Sequence, residues 1–94
     1  EPPAIWHLYC TLLGLRRRNP TLYAGRVRAL DVSPTTLLYA VDSTPVVTVA
    51  VNAGATAQRV PAVPGEVVGS VGAVRDVDGV HLDPWGWIVT SGQW

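Results

Sequence analysis

The chain has 94 residues and a mass of 10.0 kDa, enough for one domain with a modest core and far below the roughly 250 residues of a complete (β/α)₈ barrel. Seven arginines, no lysine and seven acids give a formal net charge of zero, so the electrostatic footprint that holds nucleic acid or an anionic membrane is missing and neither is expected as a partner. No apolar run reaches the ~18 residues of a membrane span, the single Cys10 cannot close an internal disulfide, and a chain opening at Glu1 without methionine reads as a piece of a longer polypeptide.

Pro2 and Pro3 suit a first helical turn, where a missing N–H costs nothing, and a helix of about fourteen residues follows them. At about 100° per residue, Leu15, Leu8, Leu12, Ile5, Tyr9, Leu13, Trp6 and Cys10 cover an arc of roughly 220°, leaving His7, Thr11, Gly14 and Arg18 in the gap. A helix packed on one sheet needs a stripe of only about 100°. The pattern therefore predicts a helix covered from two sides, with Trp6, Tyr9 and Leu13 at a domain interface and Cys10 as a small buried hydrophobe. Arg16 to Arg18 suit the carbonyl end of the helix dipole, and Pro20 ends the element by disfavouring helical geometry at Asn19.

From residue 26 the pattern changes to short β runs. Residues 26–32 and 37–42 flank Ser33-Pro34-Thr35-Thr36, a hairpin with a four-residue loop. Residues 46–51 are apolar almost throughout, as in a central strand, and Asn52-Ala53-Gly54 closes the run with turn chemistry. Residues 58–60 and 66–71 are weaker strands separated by a segment with Pro61, Pro64 and Gly65. Residues 73–77 and 80–82 surround Asp78-Gly79, read as a type I′ hairpin turn with positive φ at both positions, and 85–90 form the last strand. The pattern predicts a mainly β fold: an antiparallel, Greek-key-like β-sandwich of seven or eight strands, preceded by one N-terminal α-helix.

Three runs, in order across nearly the whole chain, carry a resemblance. Leu15, Arg16, Pro20, Leu22 and Gly25 resemble the Leu-Arg-x-x-x-Pro-x-Leu…Gly pattern that ends the last barrel helix in the alpha-amylase family of glycoside hydrolases. Val46-Val47-Thr48-Val49-Ala50-Val51-Asn52 is similar to the apolar strand ending in Asn at the centre of that family's C-terminal β-domain. Leu82-Asp83-Pro84-Trp85-Gly86 resembles the Leu-x-Pro-aromatic-Gly pattern before its last strand. The resemblance implies that 1–19 is the last helix of a missing catalytic barrel and 20–94 a non-catalytic C-terminal β-sandwich domain that packs on and stabilises the barrel. It further implies that the parent is a glycoside hydrolase that hydrolyses or transfers α-glucosidic bonds in α-glucans. The acids that do such chemistry lie at the ends of barrel strands, none of which is in this chain. The doubly apolar helix agrees with that placement, since a last barrel helix buries one face on the barrel and another on the β-domain.

Chemistry within the chain itself is sparse. Glu66, Asp76, Asp78 and Asp83 fit turns and solvated strand ends better than a hydrolytic pair. Asp76-x-Asp78-Gly79 hints at a calcium loop, but Gly79 is fourth where an EF-hand needs the sixth position, and Trp87 stands where it needs Glu. His7 and His81 have no second ligand at metal spacing, so no metal and no cofactor are expected. Ser70, His81 and Asp83 form only an arbitrary triad without a nucleophile elbow. Trp85 and Trp87, two apart in a strand, are candidates for a flat carbohydrate-stacking platform, with burial against the helix or the barrel as the favoured competing reading. The partners implied are the missing barrel of the same polypeptide and α-glucan, with self-association through the exposed helix face when the barrel is absent. The alternatives are a free-standing carbohydrate-binding module and an immunoglobulin-like interaction module.

Overall fold

The computed structural model describes residues 3–18, 26–42 and 45–92. Among these, one helix, α1 (Pro3–Arg18), precedes six strands: β1 (Arg26–Val32), β2 (Thr36–Asp42), β3 (Val47–Asn52), β4 (Gln58–Pro61), β5 (Glu66–Arg75) and β6 (Gly79–Ser91). Every pairing is antiparallel. The order is β1-β2-β3-β6-β4, with β5 on β6.

The thirteen-residue β6 is the axis of the sheet. Its C-terminal half pairs with β3, from Val51↔Trp87 to Val47↔Ser91, and its N-terminal half pairs with β4, from Gln58↔Leu82 to Pro61↔Gly79. The other edge of β6 carries β5 along both halves. A strand that changes partner midway bends, and the sheet curls into a half-barrel.

The mainly β, antiparallel architecture with one leading helix matches the sequence pattern, but the seven- or eight-stranded sandwich does not. The sequence pattern makes two strands of 66–71 and 73–77 and two more of 80–82 and 85–90; in the structure each pair is one strand bent at a bulge. β5 shifts register between Val71 and Ala73, while β6 passes from Leu82, opposite Ala73, to Trp87, opposite Val71, within the same interval. Gly72, at φ 61°, sits at the kink. Glycine and proline in a strand pattern marked a bend here rather than an end.

Both faces of the sheet are apolar. The concave face holds Leu38, Ala50, Val60, Val63, Val80, Leu82 and Ile88. The outer face holds Val47, Val49, Trp87 and Val89, on which Leu8 of α1 packs. This explains why β3 reads as a nearly unbroken apolar run: Thr48 and Ala50 turn inward, Val47 and Val49 outward, and all four are buried.

The hairpin loops separate two kinds of turn chemistry. At 33–36 the four-residue loop is present, with Val32 paired to Leu37, Ser33 N–H donating to the Thr36 carbonyl and Thr36 N–H donating to Ser33 Oγ. At the second hairpin the expected type I′ turn at Asp78-Gly79 is not formed, since neither residue has positive φ. The Asp76 carboxylate accepts the N–H groups of Asp78 and Gly79, both at 2.9 Å, and Asp76 N–H bonds the Gly79 carbonyl. The tip therefore falls one residue earlier, with Val77 92% exposed at its crest. A side-chain acceptor has taken the role that positive φ would have filled.

Candidate functional site

Two surfaces carry whatever chemistry this fold offers: the outer sheet face around α1 and the bulge of β6.

On the outer face, α1 lies across β5 and β6. Leu8 is buried, and Thr11, Leu12 and Leu13 are half-buried. Leu8, Thr11 and Leu12 lie three and four apart, hence on one side of the helix. Gly69 permits the close approach: a Cβ there would come 3.2 Å from Thr11 Cγ2 and 3.3 Å from the Trp87 ring. Thr11, assigned to the polar gap by the helical wheel, thus faces the sheet. Cys10, expected to be buried, is exposed, because it lies on the side of the helix opposite Leu8 and Leu12. Leu13 is half-buried, and the side chains of Trp6 and Tyr9 lie outside the described residues.

The same face continues past the helix. Cross-strand partners share a face, and Leu37↔Val51↔Trp87 and Tyr39↔Val49↔Val89 run from β2 through β3 to β6. Trp87 and Val89 lie under α1, whereas Leu37, Tyr39 and Val51 form the floor of an open groove of about 390 Å³ edged by Pro34 and Ala53. Leu37 is 38% exposed. Burial pushes the Tyr39 phenol above its ordinary value of 10.0. The groove was not identified from the sequence; its signal is the continuous apolar run from Leu37 to Val41, which promises cover on both faces.

At the bulge the two candidate tryptophans part company. Trp87 is 1% exposed beneath α1, while Trp85 is 38% exposed with φ 62°. Regular alternation would have placed both on one face, and the bulge between Leu82 and Trp87 breaks it. Pro84 followed by a residue at positive φ is the pattern of a type II turn. A Cβ at Gly86 would collide with the Gly72 carbonyl oxygen, so the β5 kink and the β6 bulge are pressed together.

Asn52, fully buried at the end of β3, ties this bulge to the β3–β4 loop. Its Nδ2 donates to the carbonyls of Thr56 (2.8 Å), Asp83 (3.1 Å) and Leu82 (3.3 Å), and its Oδ1 accepts from Gly54 N–H at 3.1 Å. The terminal Asn of the apolar strand, noted in sequence as turn chemistry, is a tertiary clamp.

Two arginine–aspartate pairs lie outside this clamp. Arg59 bonds both oxygens of Asp76, at 2.8 and 3.0 Å, and Arg28 pairs with Asp42 at 2.8 Å. The Arg59 hydrogen bond and the two backbone N–H donors hold Asp76 below its ordinary value of 3.8. His81 Nε2 lies 3.4 Å from Asp83 Oδ1, both side chains half-exposed. Ser70 sits opposite Ile88, well along β5 from Val74, the partner of His81, so Ser70 does not join that pair. His7 and Glu66 are exposed on separate elements. Among the described residues no three His, Cys, Asp or Glu side chains gather as metal ligands.

No family model and no curated protein matches the chain. Solved structures do. An alpha-glucosyl transfer enzyme, XgtA, superposes with a TM-score of 0.66 at 19% identity over 86% of this chain. The trehalulose synthase MutB from Pseudomonas mesoacidophila MX-45 gives 0.71 at 18% identity over 93% of it, as does a MutB variant in complex with the substrate sucrose. The chain spans 16% of the length of XgtA and 17% of MutB. These neighbours are enzymes of the alpha-amylase family, so the fold is that of a part of such enzymes, as the three sequence runs implied.

Proposed function

We propose that this chain is the non-catalytic C-terminal β-domain, with the last barrel helix, of an alpha-amylase-type enzyme that hydrolyses or transfers α-glucosidic bonds. Its outer face packs on and stabilises the catalytic barrel. The observation that carries this reading is the apolar outer face, which α1 covers over β5 and β6 but leaves open at Leu37, Tyr39 and Val51. An apolar sheet face of that kind is normally covered. In this reading the barrel that carries α1 also covers the groove. That XgtA is an alpha-glucosyl transfer enzyme and MutB a trehalulose synthase supports the substrate class. The parent's bond-breaking carboxylates belong to the barrel, and this domain contributes its support.

Two measurements test the reading. The stretch of polypeptide preceding Glu1 is expected to contain barrel strands ending in Asp, Glu and Asp; a different upstream domain overturns the assignment. Purified 1–94 is expected not to hydrolyse maltooligosaccharides, and any glucan hydrolysis by it would show that the chemistry was misplaced.

A further inference from the structure

The β6 bulge has the makings of a ligand site in its own right. A bulky residue at positive φ is a strained choice where glycine fits freely, and the other described positive-φ positions, Gly65, Gly72 and Gly92, are all glycine. Trp85 is the departure. It is held in place from every side: Pro84 fixes the preceding φ, Gly72 and Gly86 allow the two backbones to touch, and Asn52 bonds the Leu82 and Asp83 carbonyls. Such over-determination holds a strained residue in place, and strain of this sort clusters at ligand contacts.

The neighbouring groups point to the chemistry of the ligand. His81 and Asp83 are two apart on β6 and 3.4 Å from each other, with side chains 49% and 62% exposed. Arg28, Arg59 and Arg75 are directed elsewhere, to Asp42, Asp76 and the Gly65 carbonyl. A partly exposed indole, two positions along the chain from a carboxylate and four from an imidazole, offers what a pyranose ring takes, since its C–H face stacks on an aromatic and its hydroxyls both donate and accept. The formal net charge of zero suits an uncharged ligand. We propose that the bulge at 83–86 binds α-glucan, with Trp85 as the stacking platform and Asp83 and His81 receiving the sugar hydroxyls. The site is a single tryptophan with two polar neighbours, since Trp87 is buried. That the sugar is α-linked glucose rests on the function proposed above.

The test is a titration of 1–94 with maltoheptaose, followed by NMR at the indole and backbone N–H groups. Millimolar binding is expected, with shifts centred on Trp85, Asp83 and His81. Trp85→Gly is expected to weaken binding at least tenfold while raising the melting temperature by about 4–8 °C as the backbone strain is released. Asp83→Asn keeps the fold and should weaken binding severalfold. Unmoved Trp85 signals at 20 mM sugar, or full binding by Trp85→Gly, would overturn the site; equal binding of cellohexaose would overturn the α-glucan assignment. None of these results bears on the barrel strands expected upstream, so the two proposals fail separately.

Discussion

Three carbonyl oxygens share the two N–H donors of Asn52, whose own side chain has no solvent exposure, and its Oδ1 holds a fourth group, Gly54 N–H. Asn52→Ala would orphan all four, and since a buried unsatisfied group costs about 1–3 kcal/mol, a loss of about 3 kcal/mol is expected in urea unfolding. Asn52→Asp should be as damaging, because a carboxylate cannot donate to carbonyls. Thr90 is the reverse case: its hydroxyl is buried without a partner among the described residues, so Thr90→Val is expected to stabilise by about 1 kcal/mol in the same measurement. Asp76 ties stability to pH. Its folded pKa lies below 3.8, so the folded state favours the carboxylate. The contribution is complete above that value and is lost as pH falls through the folded pKa. Arg59→Gln should flatten the stability–pH curve in the acid range, and a curve unchanged by the substitution would show that the ion pair has no role there.

At the scale of elements, helix, central strand and first hairpin were legible because each rests on local chemistry. The apolar arc fixes α1, a doubly apolar run fixes β3, and Ser33-Pro34 fixes the loop before β2. The second hairpin and the strand count were misread for one physical reason: glycine and proline interrupt a pattern whether the chain turns or merely bends, and only pairing with a neighbour decides which. β5 and β6 bulge against each other, so each continues through its break. Helix docking likewise depends on a tertiary contact, the approach of Thr11 and Trp87 over Gly69. Gly69→Val should cost about 1–3 kcal/mol by overpacking. Amide exchange is expected to accelerate in α1 while β1 and β2 keep their protection, and uniform acceleration would show that the helix does not dock as a separate unit.

For the whole molecule, the consequence is an apolar face only partly covered by its own chain. Leu37, Tyr39 and Val51 line a groove on the same surface as the Leu8–Trp87 contact, and Cys10 and Leu13 leave the far side of the helix partly open. In the absence of a barrel, 1–94 is expected to self-associate at tens of micromolar, with sedimentation that depends on concentration. Leu37→Glu should shift it toward monomer by about tenfold in dissociation constant. A wild-type chain that stays monomeric at several hundred micromolar would mean that the open face needs no partner.

By itself the sequence determined the class of the fold. Hydrophobic period and turn residues depend on nearest neighbours along the chain, so they are legible before any strand is paired. Tertiary structure alone decided which breaks are bends, which side of the helix meets the sheet, and that Trp85 and Trp87 face different surroundings. Each of these depends on strand partners far away in sequence: the β5 kink sets the β6 bulge, and Asn52, thirty-one positions before Asp83, locks it.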